Sequence, residues 1–477
     1  MRKHKALKYV IGGLIGAAFP ALLATGSAFA ADKDPVQLLT ESTNLLWVVI
    51  GAVLVIFMQA GFALVETGFT QKKNAAHVIS TNFAIFGLGF VGFLFVGFPL
   101  AFGGFSYPGY FGLDTSMSSG PLLGSGNWVF LWHGWDHLKD SATPGLLAFF
   151  LYMVAFMDTT ATIPTGSMAE RWKWKSFVQW GLFCGAIYYP LFAAWTWGGG
   201  WLAKTWDTMS LGAGYVDFAG SGVVHAVGGA AALAGALVLG PRIGKYGPDK
   251  KPRTIAGHNV PMAMLGCFIL LFGWFGFNAA STFASSDIRF ATVATNTAIA
   301  AAVGAVAAMY WITFRSGKPD PGMQVNGMLA GLVAITAPCA FVGPWAAAVI
   351  GALAAVIVIE AAMFIENKGI DDPVGAIAVH GVGGIFGVLC VGLFANGDYG
   401  AAWNGSSVTG VKGLFYGDGG QLGAQALGAL VICTVIFGAA YAFFKIQNKM
   451  TKGGIRLSEE LEIEGGDVEM GVAGYVD

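Results

Sequence analysis

Long runs of apolar residues with almost no charge recur along the chain, near 44–67, 78–101, 145–168, 176–196, 217–240, 260–281, 290–314, 324–342, 344–365, 374–395 and 420–444. A helix rising about 1.5 Å per residue needs roughly twenty residues to cross the ~30 Å hydrocarbon core of a bilayer. No water reaches that core, so each backbone N–H and C=O must be satisfied within a helix or a closed barrel. Barrel strands would read as short alternating segments, and these runs are too long and do not alternate. The expected fold class is therefore an all-α polytopic membrane protein with eleven transmembrane helices. Charged residues make up 11% of the 477 residues and apolar ones 55%, too little charge to clothe a soluble surface of this size. No basic block points to nucleic acid.

The ends of the chain read differently. Arg2, Lys3, Lys5 and Lys8 precede an apolar core from Val10 to Ala24 and a small-residue "SAFA" site, the pattern of a cleaved signal peptide over 1–30; an uncleaved first span is the alternative. The eleven-helix membrane domain then covers 31–445, and 446–477 is a cytoplasmic tail. With the mature amino terminus outside, seventeen Lys and Arg residues fall on the inner side and five (Lys33, Lys139, Lys204, Arg289 and Lys412) on the outer. That bias predicts a plasma (inner) membrane protein with a cytoplasmic carboxyl terminus. The cysteines, Cys184, Cys267, Cys339, Cys390 and Cys433, all fall in apolar runs without metal-ligand spacing and read as small core residues. No cofactor is expected. No nucleophile–base set or phosphate loop marks an enzyme either; "GLGFVG" at 87–92 has no strand before it and reads as helix packing.

Two stretches repeat. "DFAGSGVVHAVGG" from Asp217 and "DPVGAIAVHGVGG" from Asp372 both place Gly three residues after Asp, His eight after it, then Val-Gly-Gly. One lies on the fifth span and the other on the tenth. Five is odd, so the copies cross the membrane in opposite directions, which predicts a 5+5 inverted repeat with an extra eleventh span and a site near the midplane. Chance matching of Gly-rich helices does not supply Asp and His at identical spacing.

An ionisable side chain inside a membrane is costly and is a functional candidate by default. His225 and His380 carry neutral imidazoles that offer one donor and one acceptor each, able to line a narrow pore or pass a proton; a helix-to-helix hydrogen bond is the simpler alternative for either alone. Asp217 and Asp372 open their spans, where a carboxylate accepts unpaired N–H groups and complements the helix dipole. Tyr152 and Phe156 lie one turn apart on the third span, Trp197 precedes "GGG", and Trp274, Phe277 and Ser281 share one face of the sixth span. Rings and a hydroxyl beside an uncharged pore suit a small cation, while interfacial belts account for most tryptophans.

In order, "QAGFALVETG", "GSMAERW", "WGGG", "DFAGSGVVH", "HNVPM", "GWFGFNAAS" and "DDPVGAIAVHGVGGIFG" closely resemble the ammonium transporter (Amt/Mep/Rh) family over about 44–460, on its bacterial Amt side. The resemblance implies a homotrimer in membrane lipid whose subunits each carry a pore for ammonium or ammonia, with methylammonium as analogue. It implies an outer site of Phe156, Trp197 and Ser281, gate rings Phe156 and Phe277, and pore histidines His225 and His380. Trp274 would line the path, Asp217 would support the site, and Thr336 would serve near an inner site, although "TAPC" departs from the commoner "TPAC". Family tails can meet a PII regulatory protein; this one keeps "IEGGD" at 463–467 and lacks the usual His-Gly-Glu run. An ammonium sensor signalling through the tail is the rival reading.

Overall fold

The computed structural model describes residues 34–104, 119–136, 138–139 and 142–475. The expected signal peptide, 1–30, lies outside the described residues. The main helices are α1 (Pro35–Phe69), α2 (Lys72–Phe102), α3 (Pro144–Met168), α4 (Trp174–Trp195), α5 (Ser221–Leu239), α6 (Val260–Thr282), α7 (Arg289–Ser316), α8 (Pro321–Thr336), α9 (Pro344–Asn367), α10 (Ile377–Phe394) and α11 (Gly419–Met450). Ten of them are long and apolar enough to cross a bilayer. The exception is α8, expected over 324–342, whose 16 residues rise only about 24 Å. Pro338 has no N–H to continue the ladder, and a turn closed by Phe341 N–H on Pro338 O follows.

Local chemistry sets the helix starts. Thr143, Asn259, Asp320 and Asp418 accept first-turn N–H groups of α3, α6, α8 and α11 through their side chains, and proline fills a first-turn position in α1, α3, α6, α8 and α9. Helices extend beyond the apolar runs, as α1 does back to Pro35, because polar turns at a helix end can be hydrated.

Glycine sets how closely the two halves approach. Helices α1 and α6 run antiparallel: Gly51 meets Ala280, Gly61 meets Gly266 and Leu270, and Gly68 meets Ala263. A Cβ on Gly266 would sit 2.7 Å from Gly61 O, so only hydrogen fits. Helices α5 and α10 cross the same way, with a Cβ on Gly229 falling 2.2 Å from Gly381 N. Helix α3 packs on α1 and α5, and α8 packs correspondingly on α6 and α10. These matched antiparallel pairs are the inverted repeat in three dimensions.

Two faces cap the bundle. One carries a hairpin of β1 (Pro121–Ser125) and β2 (Trp128–Trp132), which the sequence did not announce, held by Trp195 Nε1–H to Phe130 O at 3.0 Å. The opposite face carries the tail, with α12 (Glu459–Glu464) and α13 (Asp467–Met470). "IEGGD" docks there: Lys73 Nζ donates to Ile463 O at 2.6 Å, Gly466 N–H to Asn74 Oδ1 at 2.6 Å, and His77 N–H to Asp467 Oδ1 at 2.9 Å. Beside it Arg242 bridges Glu170 and Asp371, with Nε 2.8 Å from Asp371 Oδ2, and Arg171 Nη2 donates to Asp371 O at 2.8 Å. Burial alone would raise the Asp371 carboxyl, but the Arg242 hydrogen bonds and the two guanidinium charges hold it down at about 2. Four cysteines are buried as expected; Cys433 is exposed on α11 and is no core residue.

Candidate functional site

The two repeated stretches fold alike. Each histidine sits in a π-helical turn at the start of its helix, Ser221–Ala226 for His225 and Ile377–Val382 for His380; in the first, His225 N–H bonds Gly220 O, five residues back, at 3.0 Å. Such wide turns are rare and favour functional sites. Each aspartate holds the turn: Asp217 accepts from Gly220, Gly222 and Val223 at 2.7, 2.8 and 2.9 Å, and Asp372 accepts from Ala376 and Ile377 at 3.0 and 2.7 Å. The geometry carries the cap role for both carboxylates.

The antiparallel crossing of α5 and α10 brings the rings together. His225 Nδ1 lies 3.2 Å from His380 Nδ1, with the rings stacked at 5.2 Å and 23°. Only one of those nitrogens can carry the shared proton, so the two neutral rings hold opposite tautomers. If the donor ring takes up a proton at Nε2 and the acceptor ring releases one from its Nε2 as that proton crosses, both tautomers reverse and both rings stay neutral, which is what a relay needs. Both rings are buried, and His225 Nε2 has no hydrogen-bond partner among the described residues.

A ladder of rings leads to this pair from the Asp217 end. Trp197 meets Phe156 edge-on at 5.8 Å, Phe156 stacks on Phe277 at 4.1 Å, and Phe277 stacks on His225 at 5.4 Å. Phe156 and Phe277 are in van der Waals contact, so a solute passes only if a ring swings. Trp197 is fixed by its Nε1–H on Asp217 O at 2.7 Å; Gly199, at φ +78, supplies the left-handed turn of "WGGG" behind it. Tyr152 packs on Phe156 at 4.7 Å, and its hydroxyl is 3.1 Å from Ser281 Oγ. Ser281 donates to Phe277 O at 2.8 Å, which leaves its oxygen free to accept an N–H.

Trp274 stacks on His225 at 5.1 Å and donates to Thr336 Oγ1 at 2.9 Å. Thr336 therefore does not serve an inner position: it closes α8 level with the start of α5, where its carbonyl takes Ala219 N–H at 3.2 Å. Its hydroxyl orients Trp274, and "TAPC" belongs to that turn. The other expected site residues join in one continuous series of ring and hydrogen-bond contacts.

Sequence reasoning passed over three residues on the far side of His380. Phe62 is 6.0 Å from that ring, and Glu66 and Asn326 line a small cavity with it. The signal for Glu66 was present, a carboxylate within an apolar span. Asp158, buried on α3 with one oxygen that has no partner among the described residues, is a second such carboxyl.

The sequence model of the Ammonium Transporter Family matches residues 46–475. The chain belongs to the ammonium transporter family. It is 42% identical to "Ammonium transporter Amt2" of Archaeoglobus fulgidus, covering 96% of this chain and 94% of that protein, and 36% identical to "Ammonium transporter Amt1" of Haloferax mediterranei, covering 93% and 81%. Among solved structures it is similar to "Sensor Amt Protein", with a TM-score of 0.77 at 38% identity covering 91% of this chain and all of that one. Mep2 of Candida albicans follows the same fold, with a TM-score of 0.72 at 29% identity covering 88% and 87%.

Proposed function

We propose that this ammonium transporter family member recruits NH4+ at Trp197, Phe156 and Ser281, strips one proton, and conducts NH3 past Phe277 and the His225–His380 pair. The observation that carries it is the unbroken ladder from Trp197 to the facing imidazoles. Rings attract a desolvating cation through their faces, and the Ser281 lone pair that the Tyr152 hydroxyl does not take rewards an N–H donor. Potassium has neither a hydrogen to donate nor a proton to leave behind, so the dry section rejects it. Whether the proton crosses through the histidine tautomers is the difference between charge transport and a neutral gas channel.

The reading includes α8 as an eleventh crossing, a homotrimer, and a cleaved signal over 1–30. It puts the hairpin face outside and the tail face in the cytoplasm, because Lys and Arg concentrate on the tail face. The plasma membrane is the expected location, and a PII-type protein is a candidate partner for the docked tail. The second reading, a sensor, draws on the solved neighbour named as one and on the tail's contacts with the start of α2 and with the α3–α4 and α5–α6 loops.

Solid-supported-membrane electrophysiology on protein in liposomes tests both. Ammonium pulses are expected to give a current or, if NH3 crosses alone, an internal pH rise, with no response to potassium. His225→Ala and His380→Ala are expected to abolish the response or its selectivity. Silence of the wild type in both assays overturns transport and leaves the sensor.

A further inference from the structure

Helix α6 closes on a tight turn over Ala280–Thr282, where Phe283 N–H bonds Ala280 O at 2.9 Å. Phe283 itself stands at φ +55, ψ +6, in the left-handed region where a side chain is crowded by its own backbone and glycine is the usual occupant. Six non-glycine residues among those described have a positive φ, and Phe283 is the one aromatic among them. An unfavourable backbone kept by a bulky residue two positions after Ser281 points to a role for its ring.

That backbone lays the ring on α3. Phe283 meets Tyr152 edge-on at 5.2 Å and Phe149, one turn earlier, at 5.9 Å. Trp47 Nε1–H on Thr282 Oγ1 at 3.2 Å ties the turn to α1, so the ring has a fixed base. Tyr152 is thereby hemmed in. Phe156 packs on it at 4.7 Å, a Cβ on Gly51 would fall 2.9 Å from Tyr152 Cε2, and half-buried Phe283 bears on it from the end of α6.

This enclosure fixes a hydroxyl. Tyr152 Oη lies 2.9 Å from Gly276 O, 3.1 Å from Phe277 O and 3.1 Å from Ser281 Oγ, and its single O–H serves one acceptor at a time. A ring free to tilt would carry Oη away and leave the Ser281 hydroxyl held by Phe277 O alone. We propose that Phe283 is a positioning residue of the outer ammonium site, fixing Tyr152 so that its hydroxyl orients Ser281 toward the cation. The inference rests on the transport reading. Phe283 acts through Tyr152 without touching the ion, so its effect falls on capture at the outer site and not on passage between the histidines.

The test is ammonium-evoked transport in proteoliposomes against ammonium concentration, for wild type, Phe283→Gly, Tyr152→Phe and the double variant. Glycine suits the left-handed backbone, so Phe283→Gly keeps the turn and removes the ring. Its half-saturating ammonium concentration is expected to rise several-fold, with the maximal rate within about twofold of wild type. Tyr152→Phe lacks the hydroxyl that Phe283 positions, so adding Phe283→Gly to it is expected to raise that concentration little further. An unchanged half-saturating concentration in folded Phe283→Gly, a loss of maximal rate alone, or full additivity in the double variant overturns the positioning role. Thermal unfolding reports which variants fold, and Phe283→Asn, also at ease in this backbone, replaces a glycine variant that does not. If the wild type transports nothing, the transport reading fails by itself. Calorimetric ammonium binding by the same proteins in detergent then decides the positioning role, with the same pattern of weakened and non-additive binding expected and its absence overturning it.

Discussion

Asp217 shows how much one side chain can hold. Its carboxylate accepts three N–H groups at the mouth of the turn that carries His225, while its backbone oxygen fixes the Trp197 indole. Asp217→Ala leaves those donors unpaired in a buried place. We expect a loss of about 1–2 kcal/mol, the upper range for a helix cap, with a smaller loss for Asp217→Asn, which retains one oxygen. Thermal unfolding of the detergent-purified protein reads the stability, and the liposome assay reads the displaced Trp197. An unchanged unfolding temperature in the alanine variant would refute the cap. At this scale the Asp, Gly and His spacing was legible because a cap and its helix are neighbours in the chain. The partner of Thr336 was not, because Trp274 comes from another helix.

Elements depend on glycine, and the structure separates glycines that look alike in sequence. Within "GLGFVG", a Cβ on Gly92 would meet Leu182 O at 2.5 Å, while one on Gly87 meets nothing within 4 Å. Gly92→Ala must push α2 from α4, at roughly 1–3 kcal/mol. Gly87→Ala relieves the chain entropy of a helical glycine and should stabilise by up to about 1 kcal/mol. Opposite shifts in unfolding temperature are expected, and shifts of the same sign would mean that packing at α2–α4 is not what Gly92 serves. The motif was rightly read as helix packing, but periodicity cannot say which glycine faces a backbone.

Across the whole molecule, the tail face joins the two halves through ions. Asp371, next to the second repeat, is gripped by Arg242 and Arg171 from the first half. Removing one partner of a buried pair costs about 3–5 kcal/mol, so Asp371→Ala should lower the unfolding temperature strongly near neutral pH. The carboxyl is depressed from 3.8 to about 2. Its contribution is therefore full above the unfolded value and is lost as pH falls through the folded one. The gap between wild type and variant should close between about pH 4 and 2; a gap that stays constant would show that the charge of Asp371 is not what binds the halves.

The sequence by itself determined the helical membrane architecture, the inverted repeat and most of the ring and histidine path, because apolar length, cap residues and repeated spacing are local quantities. It predicted one crossing more than length alone supports, since composition does not register where Pro338 ends α8. Only the tertiary structure decided that the imidazoles face each other nitrogen to nitrogen, that Thr336 steadies Trp274, and that Glu66 and Asn326 share one cavity. Those facts depend on the distance and rotation between helices far apart in the chain, which glycine contacts and buried hydrogen bonds fix together and no single segment encodes.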